Sequence, residues 1–262
     1  MPPSEIHEKV AGQFGPNAAA YATSAGHSNA AVLAGLVELV RPSSSDRLLD
    51  IATGAGHVAL AFAPHVDRAV ALDLTPSMLR IVEGLARERG LDNLETIEAR
   101  AEELPFPDSS FEIVTVRLAP HHFADPVGFV REVHRVLQPD GKFLLVDTTV
   151  PEDDLLDEEI NRIELLRDPS HVRNYRVSEW RNMLEQNGFM ISQVQVGMHA
   201  GGTRMEVIGW MDRIGTPPEN RPQLLGAFFD PTPELVEALD IRREHDIATF
   251  SLPEMTLLAK KI

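Results

Sequence analysis

An α/β fold built on a doubly wound, mostly parallel sheet is predicted by three features of this sequence. Between residues 47 and 146, short apolar segments alternate with segments whose apolar residues recur at helical spacing. That order lays strands side by side in one direction with helices on both faces. The first apolar segment, Arg47–Ile51, stops at Ala52-Thr53-Gly54-Ala55-Gly56 and gives way at once to a helical stretch. Glycine at 54 and 56 admits left-handed backbone and lets a ligand approach with no Cβ in the way. The free N–H groups opening the next helix favour a polar or anionic group there. Finally, the second apolar segment ends in Asp73, 19 residues beyond Gly54.

The elements follow in order. Residues 1–28 are polar and rich in Ala, Gly and Asn, with Tyr21 and His27 as larger side chains, and read as an irregular or helical arm. Asn29 to Val40 carries Val32, Leu33, Leu36, Leu39 and Val40 on a helical face and ends before Arg41-Pro42. After the first strand, the run Val58–Ala63 makes a helix that Pro64 ends, and His57 starts it. Ala69–Leu72 is a second strand. Thr75 as N-cap and Pro76 at the first position then open a helix, with Met78, Leu79, Val82 and Leu85 inward and Gly90 closing it. Leu94–Ala99 and Phe111–Val116 are strands separated by the turn-rich tract Leu104–Ser110. Asp125-Pro126 starts a helix whose face is Val127, Val130, Val133, Val136 and Leu137, and Gln138–Gly141 turns into strand Lys142–Val146.

After Val150-Pro151 the texture changes. Glu152–Ile160 is an acidic amphipathic helix leading into Arg167-Asp168-Pro169-Ser170-His171. A helix from Ser178, with Trp180, Met183 and Leu184 inward, ends at Gly188. Phe189–Val196 and Met255–Ala259 are two final strands, expected to be antiparallel, which bring the sheet to seven. The stretch between them, punctuated by Pro217, Pro218, Pro222, Pro231 and Pro233, reads as a helical cover rather than as sheet. The organisation expected is an arm at 1–28, a cofactor-binding core at 29–150, and lid helices, a last helix and strands completing the same sheet at 151–262.

Composition bounds the function. A chain of 262 residues, 43% hydrophobic and 24% charged, is ordinary for a soluble globular protein. No window approaches the roughly 20 apolar residues that span a membrane, and the start has no basic region followed by an apolar one, so a cytoplasmic protein is expected. There is no cysteine, which excludes disulfides, thiolate nucleophiles and zinc–cysteine sites. A formal charge of −16 argues against nucleic acid as partner, because phosphate binding needs a basic surface, and reads instead as solubility.

Gly54-Ala55-Gly56-His57-Val58-Ala59 fits the pattern G-x-G-x-x-G/A, and Asp73 is placed to bind a ribose diol. Alone, that pattern permits NAD as well as an adenosyl cofactor. Asp50, four residues before Gly54, would repel a pyrophosphate but can accept hydrogen bonds from an ammonium group. It can also hold the N–H groups of the glycine loop itself. Nothing nearby suggests a nicotinamide site or a tyrosine–lysine pair, so the balance favours the adenosyl cofactor.

Four stretches carry a resemblance: Asp50-Ile51-Ala52-Thr53-Gly54-Ala55-Gly56, Ala71-Leu72-Asp73, Ala101-Glu102-Glu103-Leu104-Pro105-Phe106-Pro107-Asp108 and Leu137-Gln138-Pro139-Asp140-Gly141-Lys142. Their order and spacing, over roughly residues 20 to 150, resemble class I S-adenosylmethionine-dependent methyltransferases of the type 11 kind, near the quinone-biosynthesis C-methyltransferases. The resemblance implies a Rossmann-like fold and S-adenosylmethionine as cofactor, with S-adenosylhomocysteine as product. It implies that Gly54 and Gly56 pack against the methionine part and that Asp73 takes the ribose hydroxyls. Leu74 and Met78 would flank the adenine, Ala101 and Glu102 would meet its edge, and Tyr21 and His27 would belong to a flap over it. Asp50, Ala52 and Arg117 complete the expected cofactor residues. One departure is Arg100, where relatives often carry Asp.

Methyl transfer from a sulfonium is an in-line displacement whose leaving group needs no proton, so alignment and exclusion of water dominate. A base is needed only where the acceptor must lose a proton. His121 and His122, just after the fourth strand, are the candidates, histidine being the side chain that titrates near neutrality. Their plainer role would be to hold the loop or cap the next helix. A metal site from His121, His122 and Asp125 has no second motif behind it, and no metal is expected. Arg167, His171, Tyr175 and Arg176 are candidates for acceptor binding, with a solvated charged surface as the alternative. Leu118-Ala119-Pro120-His121 stands where many DNA, RNA and protein amino-methylating enzymes carry Asn/Asp-Pro-Pro-aromatic, which favours a small-molecule acceptor. The expected partners are therefore that acceptor, no nucleic acid and no membrane, in a monomer or homodimer. The competing readings are an NAD-dependent oxidoreductase and a non-catalytic protein that binds S-adenosylmethionine for a partner.

Overall fold

A computed structural model describes residues 3–16, 18, 28–198 and 204–262. Helix α1 (Pro3–Phe14) and helix α2 (Ala30–Val40) precede the sheet, and Asn29 caps α2 by accepting from the N–H groups of Ala31 and Val32. The alternating part is β1 (Arg47–Ile51), α3 (His57–Phe62), β2 (Arg68–Asp73), α4 (Pro76–Arg89), β3 (Leu94–Glu98), β4 (Phe111–Arg117), α5 (Pro126–Val136) and β5 (Leu137–Val150). Pro64 does not cut α3 off abruptly; Ala63–His65 tightens into a 3₁₀ turn, which tolerates proline in its first residues.

The strand order β3-β2-β1-β4-β5 is parallel throughout, and the chain reverses direction across the sheet between β1 and β4. That reversal opens a crevice at the carboxyl ends of β1 and β4, where open α/β sheets bind ligands. Strands β7 (Phe189–Met198) and β11 (Pro253–Lys261) extend the sheet; β11 lies between β5 and β7 and is antiparallel to both. Seven strands thus form the main path, and the two-residue β6 (Tyr175–Arg176) pairs with the end of β5. The Gln138–Gly141 turn is absorbed as a bulge, because Phe111 pairs with Leu137 while Ile113 pairs with Lys142.

Helices cover both faces. Leu49, Val70, Val114, Phe143 and Leu257 pack under α5 and α7 (Val177–Gln186), where Trp180 is fully buried. Leu48, Ala69, Ile113 and Leu144 pack under α2 and α3. The inward faces differ slightly from those expected. Ala86, not Leu85, is buried in α4, and Phe129 joins the valines of α5. Thr75 makes no side-chain cap to α4; its N–H donates to Asp73 instead.

The remaining elements build a second core. Helices α6 (Asp154–Arg167), α8 (Val207–Ile214), α9 (Arg221–Phe229) and α10 (Pro233–Leu239) bury Ile160, Trp210, Phe228 and Leu239 against Phe250. The stretch expected to be a purely helical cover also holds a three-stranded antiparallel sheet, β8 (Met205–Glu206), β10 (Ile247–Phe250) and β9 (Arg242–Glu244). Its strands are too short to show a two-residue periodicity, which is why the sequence pattern missed them. Among the described residues, no helix is long and apolar enough to cross a membrane.

Each core holds one of the chain's 2 tryptophans. Phe228, with no exposure, packs within 5.8 Å of the Trp210 ring and 4.6 Å of the Phe250 ring. Truncating it leaves a cavity its neighbours cannot fill, so Phe228→Ala should lower stability by about 3–5 kcal/mol. Denaturant unfolding followed by Trp210 fluorescence, with Trp180→Phe removing the other signal, measures this.

Candidate active site

Three of the parallel strands carry a buried aspartate near their carboxyl ends: Asp50 on β1, Asp73 on β2 and Asp147 on β5 are 1%, 8% and 1% exposed. Each carboxylate needs donors, because a buried unpaired charge is costly. The donors they recruit shape the crevice.

Asp50 accepts from Thr53 Oγ1 at 2.5 Å, Thr115 Oγ1 at 2.7 Å and the N–H of Ala59 at 3.2 Å. Burial pushes its carboxyl up to about 6, against the pull of those three donors. It does not line the cavity. Through its three bonds Asp50 ties the glycine turn to β4 and to α3, a framework role. Asp73 accepts from the N–H of Gly54 at 2.8 Å and of Thr75 at 2.8 Å, which leaves lone pairs on both oxygens facing the cavity. Burial raises its carboxyl too, opposed by those N–H groups.

The cavity lies beneath α1 at the ends of β1, β2 and β4. Its walls include Ala52, Gly54, Asp73, Leu74, Met78, Ala101, Glu102, Arg117 and His122, all expected from the sequence. The two glycines divide their work. Gly54, at φ +56, has open space where a Cβ would stand, as a ligand cradle requires. Gly56, at φ +81, would put a Cβ 2.8 Å from Val82, and it does not line the cavity. Its missing Cβ lets α3 pack on α4. Ala52 (φ 51) and Leu118 (φ 53) are non-glycine residues held in left-handed backbone at the ends of β1 and β4, and both line the cavity. Strain of this kind collects at functional sites. Arg100 also lines the cavity, at a short turn bridged to Glu103. Burial lowers the Arg117 guanidinium from its ordinary value, against the opposing carboxylates of Glu254 and Asp50.

Helix α1 supplies a roof that sequence reasoning saw only as an arm. His7, Val10 and Phe14 face the cavity. His7 Nε2 lies 3.3 Å from Glu102 Oε2, and Ser77 Oγ donates to the carbonyl of Gly15 at 3.2 Å. The Gln13 side chain donates to the carbonyl of Ile214 in the second core. Tyr21 and His27 lie outside the described residues.

On the far wall His122 meets two further histidines, His121 and His171, which do not line the cavity themselves. The rings of His121 and His122 are 4.3 Å apart, and that of His171 is 5.6 Å from His121. Phe14 packs edge-on against His122 at 5.0 Å. His122 Nδ1 is 3.0 Å from the carbonyl oxygen of Ser170. A carbonyl only accepts, so Nδ1 carries the hydrogen and Nε2 keeps its lone pair. His121 Nδ1 donates to Asp147 Oδ1 at 2.6 Å, and its backbone N–H donates to Oδ2 at 2.9 Å. His171 donates from Nε2 to Asn161 Oδ1 at 3.2 Å. Burial, reinforced by the neighbouring imidazoles, drives His122 down to about 3 and His171 well below its ordinary value. For His121 burial acts in the same direction but the Asp147 carboxylate outweighs it, so the ring is held above the ordinary value.

The expected acceptor residues are divided. His171 belongs to this cluster. Arg167 is close by, 3.5 Å from Glu164 and 4.5 Å over the Trp210 ring, yet outside the cavity wall. Tyr175 and Arg176 stand outside the cavity wall and make structural contacts. Tyr175 packs on Trp180 at 5.4 Å, and Arg176 pairs with Asp154 and Asp157 at 2.7 Å each, joining α6 to α7. Asp147 was missed altogether. Its signal was an apolar run ending in Asp, Leu145-Val146-Asp147, the same signature that marked Ala71-Leu72-Asp73.

The folded chain keeps His122 and His171 neutral where the unfolded chain protonates them. Stability should therefore be full above the ordinary histidine value of 6.5 and fall as pH drops from there towards about 3. His122→Gln should flatten part of that slope, as proton uptake on unfolding would report.

Comparison with known proteins agrees with this geometry. The model of a family described as a methyltransferase domain matches residues 49–145. The uncharacterized methyltransferase YcgJ of Bacillus subtilis is 42% identical over 190 residues, covering 72% of this chain and 74% of its own. Its crystal structure superposes with a TM-score of 0.83 over 88% of this chain and 98% of that one, at 36% identity. A putative methyltransferase from Bacillus halodurans gives a TM-score of 0.82 over 87% and 98%, at 35% identity. The ubiquinone/menaquinone C-methyltransferase UbiE of Shewanella frigidimarina is 32% identical over 124 residues, 46% of this chain and 49% of its own.

Proposed function

This chain belongs to the methyltransferase-domain family, and on that premise we propose that it moves a methyl group from S-adenosylmethionine to a small-molecule acceptor. One observation carries the reading. The buried Asp73 carboxylate and the open left-handed Gly54 share a single cavity with His122, so cofactor-holding groups and a neutral imidazole face the same space.

The residues present fit the cofactor. Asp73, already oriented by two backbone donors, would accept from the two ribose hydroxyls. Leu74, Met78 and Ala101 offer apolar surface for the adenine ring, and Glu102 an acceptor at its edge. Gly54 admits the methionine part, and Arg117 is the cation for its carboxylate. When bound, the cofactor supplies a methyl group on a sulfonium, open to in-line displacement with a leaving group that needs no proton.

The rest of the work belongs to the chain. Helix α1 roofs the cavity with Val10 and Phe14, excluding water and holding the reactants in line, which can contribute several kcal/mol of barrier lowering. Of the histidine cluster, His122 lines the cavity and would be the group to receive a proton from the acceptor. Acidic surface charge and the absence of an Asn/Asp-Pro-Pro-aromatic stretch after β4 support a metabolite as acceptor in preference to nucleic acid.

Isothermal titration with S-adenosylhomocysteine tests the reading directly: the protein should bind it and show no heat with NAD. Asp73→Ala should weaken that binding by about 1–3 kcal/mol through loss of charge-assisted hydrogen bonds. Unchanged affinity in the variant would refute the ribose assignment. Transfer of label from methyl-labelled cofactor to a metabolite panel separates an enzyme from a protein that merely binds the cofactor.

A further inference from the structure

We propose that His7, on the roof helix α1, reads the base of the cofactor: its N–H and the Glu102 carboxylate form a donor–acceptor fork for the exocyclic amine of adenine and a ring nitrogen beside it. The proposal rests on the methyltransferase reading above.

The observation behind it is a buried imidazole with nothing to bond. Nδ1 and Nε2 of His7 are both sealed from water, and neither completes a hydrogen bond among the described residues. Nε2 comes within 3.3 Å of Glu102 Oε2, close enough for attraction but outside hydrogen-bond geometry. Burying a ring in this way costs free energy, and a ligand with a matching atom removes the cost. His7 lines the cavity, as do Arg100, Ala101 and Glu102, so the ligand in that cavity is what can supply the atom. Arg100 is exposed, and water already serves its guanidinium.

Glu102 is the fixed half of the fork. Its Oε1 accepts from the N–H of Ala124 at 3.1 Å, which orients the carboxylate and leaves Oε2 beside His7. A carboxylate only accepts, whereas a neutral imidazole carries one N–H. Donor and acceptor therefore stand side by side, the arrangement with which an Asn or Gln amide grips adenine through its amine and a ring nitrogen. A base with oxygen in place of the amine sets that oxygen against the carboxylate, so the fork rejects it as well as selecting adenine.

The place of His7 on α1 gives the fork a second consequence. His7, Val10 and Phe14 all line the cavity, three and four residues apart on one face of the helix. From His7 to Phe14 is about 10 Å along the helix axis. One end of α1 thus meets Glu102, and the other meets His122, against whose ring Phe14 packs at 5.0 Å. Gln13 and Gly15 tie the carboxyl end of α1 to Ile214 and Ser77. The base ties down the other end through His7, so the roof closes fully only over a cofactor that carries adenine.

Isothermal titration with S-adenosylhomocysteine and three analogues reads the fork atom by atom. The 1-deaza and 7-deaza forms each lack one of the ring nitrogens flanking the amine, and the inosine form has oxygen in place of the amine. The wild type should bind one of the deaza forms about tenfold more weakly than the parent, and the inosine form roughly 10- to 100-fold more weakly. His7→Leu should lose about tenfold on the parent and nothing further on that same deaza form. Glu102→Gln, whose amide can donate to the oxygen, should bring the parent and inosine forms close together. Backbone amide exchange across α1 should slow when the wild type is saturated with the parent, and much less in His7→Leu at equal occupancy. The proposal is overturned if the wild type binds both deaza forms as well as the parent, if His7→Leu loses the same factor on all three, or if exchange slows equally in both proteins. Should His7→Leu fail to fold, NMR of histidine-labelled wild type decides. A His7 ring N–H protected from exchange by the parent and not by that deaza form upholds the assignment, and one that neither protects overturns it. A wild type that does not bind S-adenosylhomocysteine refutes the underlying methyltransferase reading instead.

Discussion

The structure turns on a single constraint: aspartates buried at the carboxyl ends of parallel strands must find donors. A strand in the middle of a sheet spends its own N–H and C=O groups on its neighbours, so a carboxylate near its end has to be served by neighbouring strands and loops. Asp50 recruits Thr53, Thr115 and the start of α3. Asp73 recruits Gly54 and Thr75, from two different loops. Asp147 recruits His121, from the loop after the adjacent strand β4. Each carboxylate thereby stitches one crossover to another, and the loops cannot drift apart without exposing a buried charge. The crevice at the strand ends is held in shape by the same bonds that satisfy the acids.

Those three carboxylates then part in function according to what they face. Asp50 is buried among its three donors and holds the framework together. Asp73 has donors on one side and cavity on the other, so it keeps acceptor capacity for a ligand. Asp147 faces a histidine, which changes what that histidine can do: the same burial that makes His122 and His171 weak bases makes the Asp147 field strong, because both effects grow as water is excluded. Three imidazoles within a few ångströms therefore differ widely in basicity, and one carboxylate accounts for the difference.

The second core has a complementary role. It is a separate apolar cluster around Trp210, Phe228 and Phe250, tied to the sheet through α6 and through the Arg173 and Arg176 pairs on Asp157. It presents Asp168, Ser170 and His171 to the histidine loop after β4, and it anchors the roof helix at Ile214. The far wall and the lid of the cavity depend on it, although none of its aromatic residues lines the cavity.

Much of this was legible in the chain itself. Local patterns are strong where a segment is long and periodic, so β1 to β5 and the helices between them were readable, with Asp125-Pro126 opening α5 and Gly90 closing α4. The Gly54–Asp73 pair was readable because backbone conformation demands glycine and a strand end demands an acid at set positions. What the sequence could not carry is which partner a polar side chain chooses, since that depends on residues distant in the chain. Gly56 packs on Val82, Arg176 pairs with Asp157 and Tyr175 packs on Trp180, partners that no local pattern names. Asp147 is 26 residues from His121, and only the parallel pairing of β4 with β5 sets the two side by side. The sequence by itself determined the sheet and the place of the cavity, because these follow from local backbone and burial preferences. The tertiary structure alone decided which acid meets the cavity and which imidazole is paired with a carboxylate, because charge and hydrogen bonding are settled by neighbours in space.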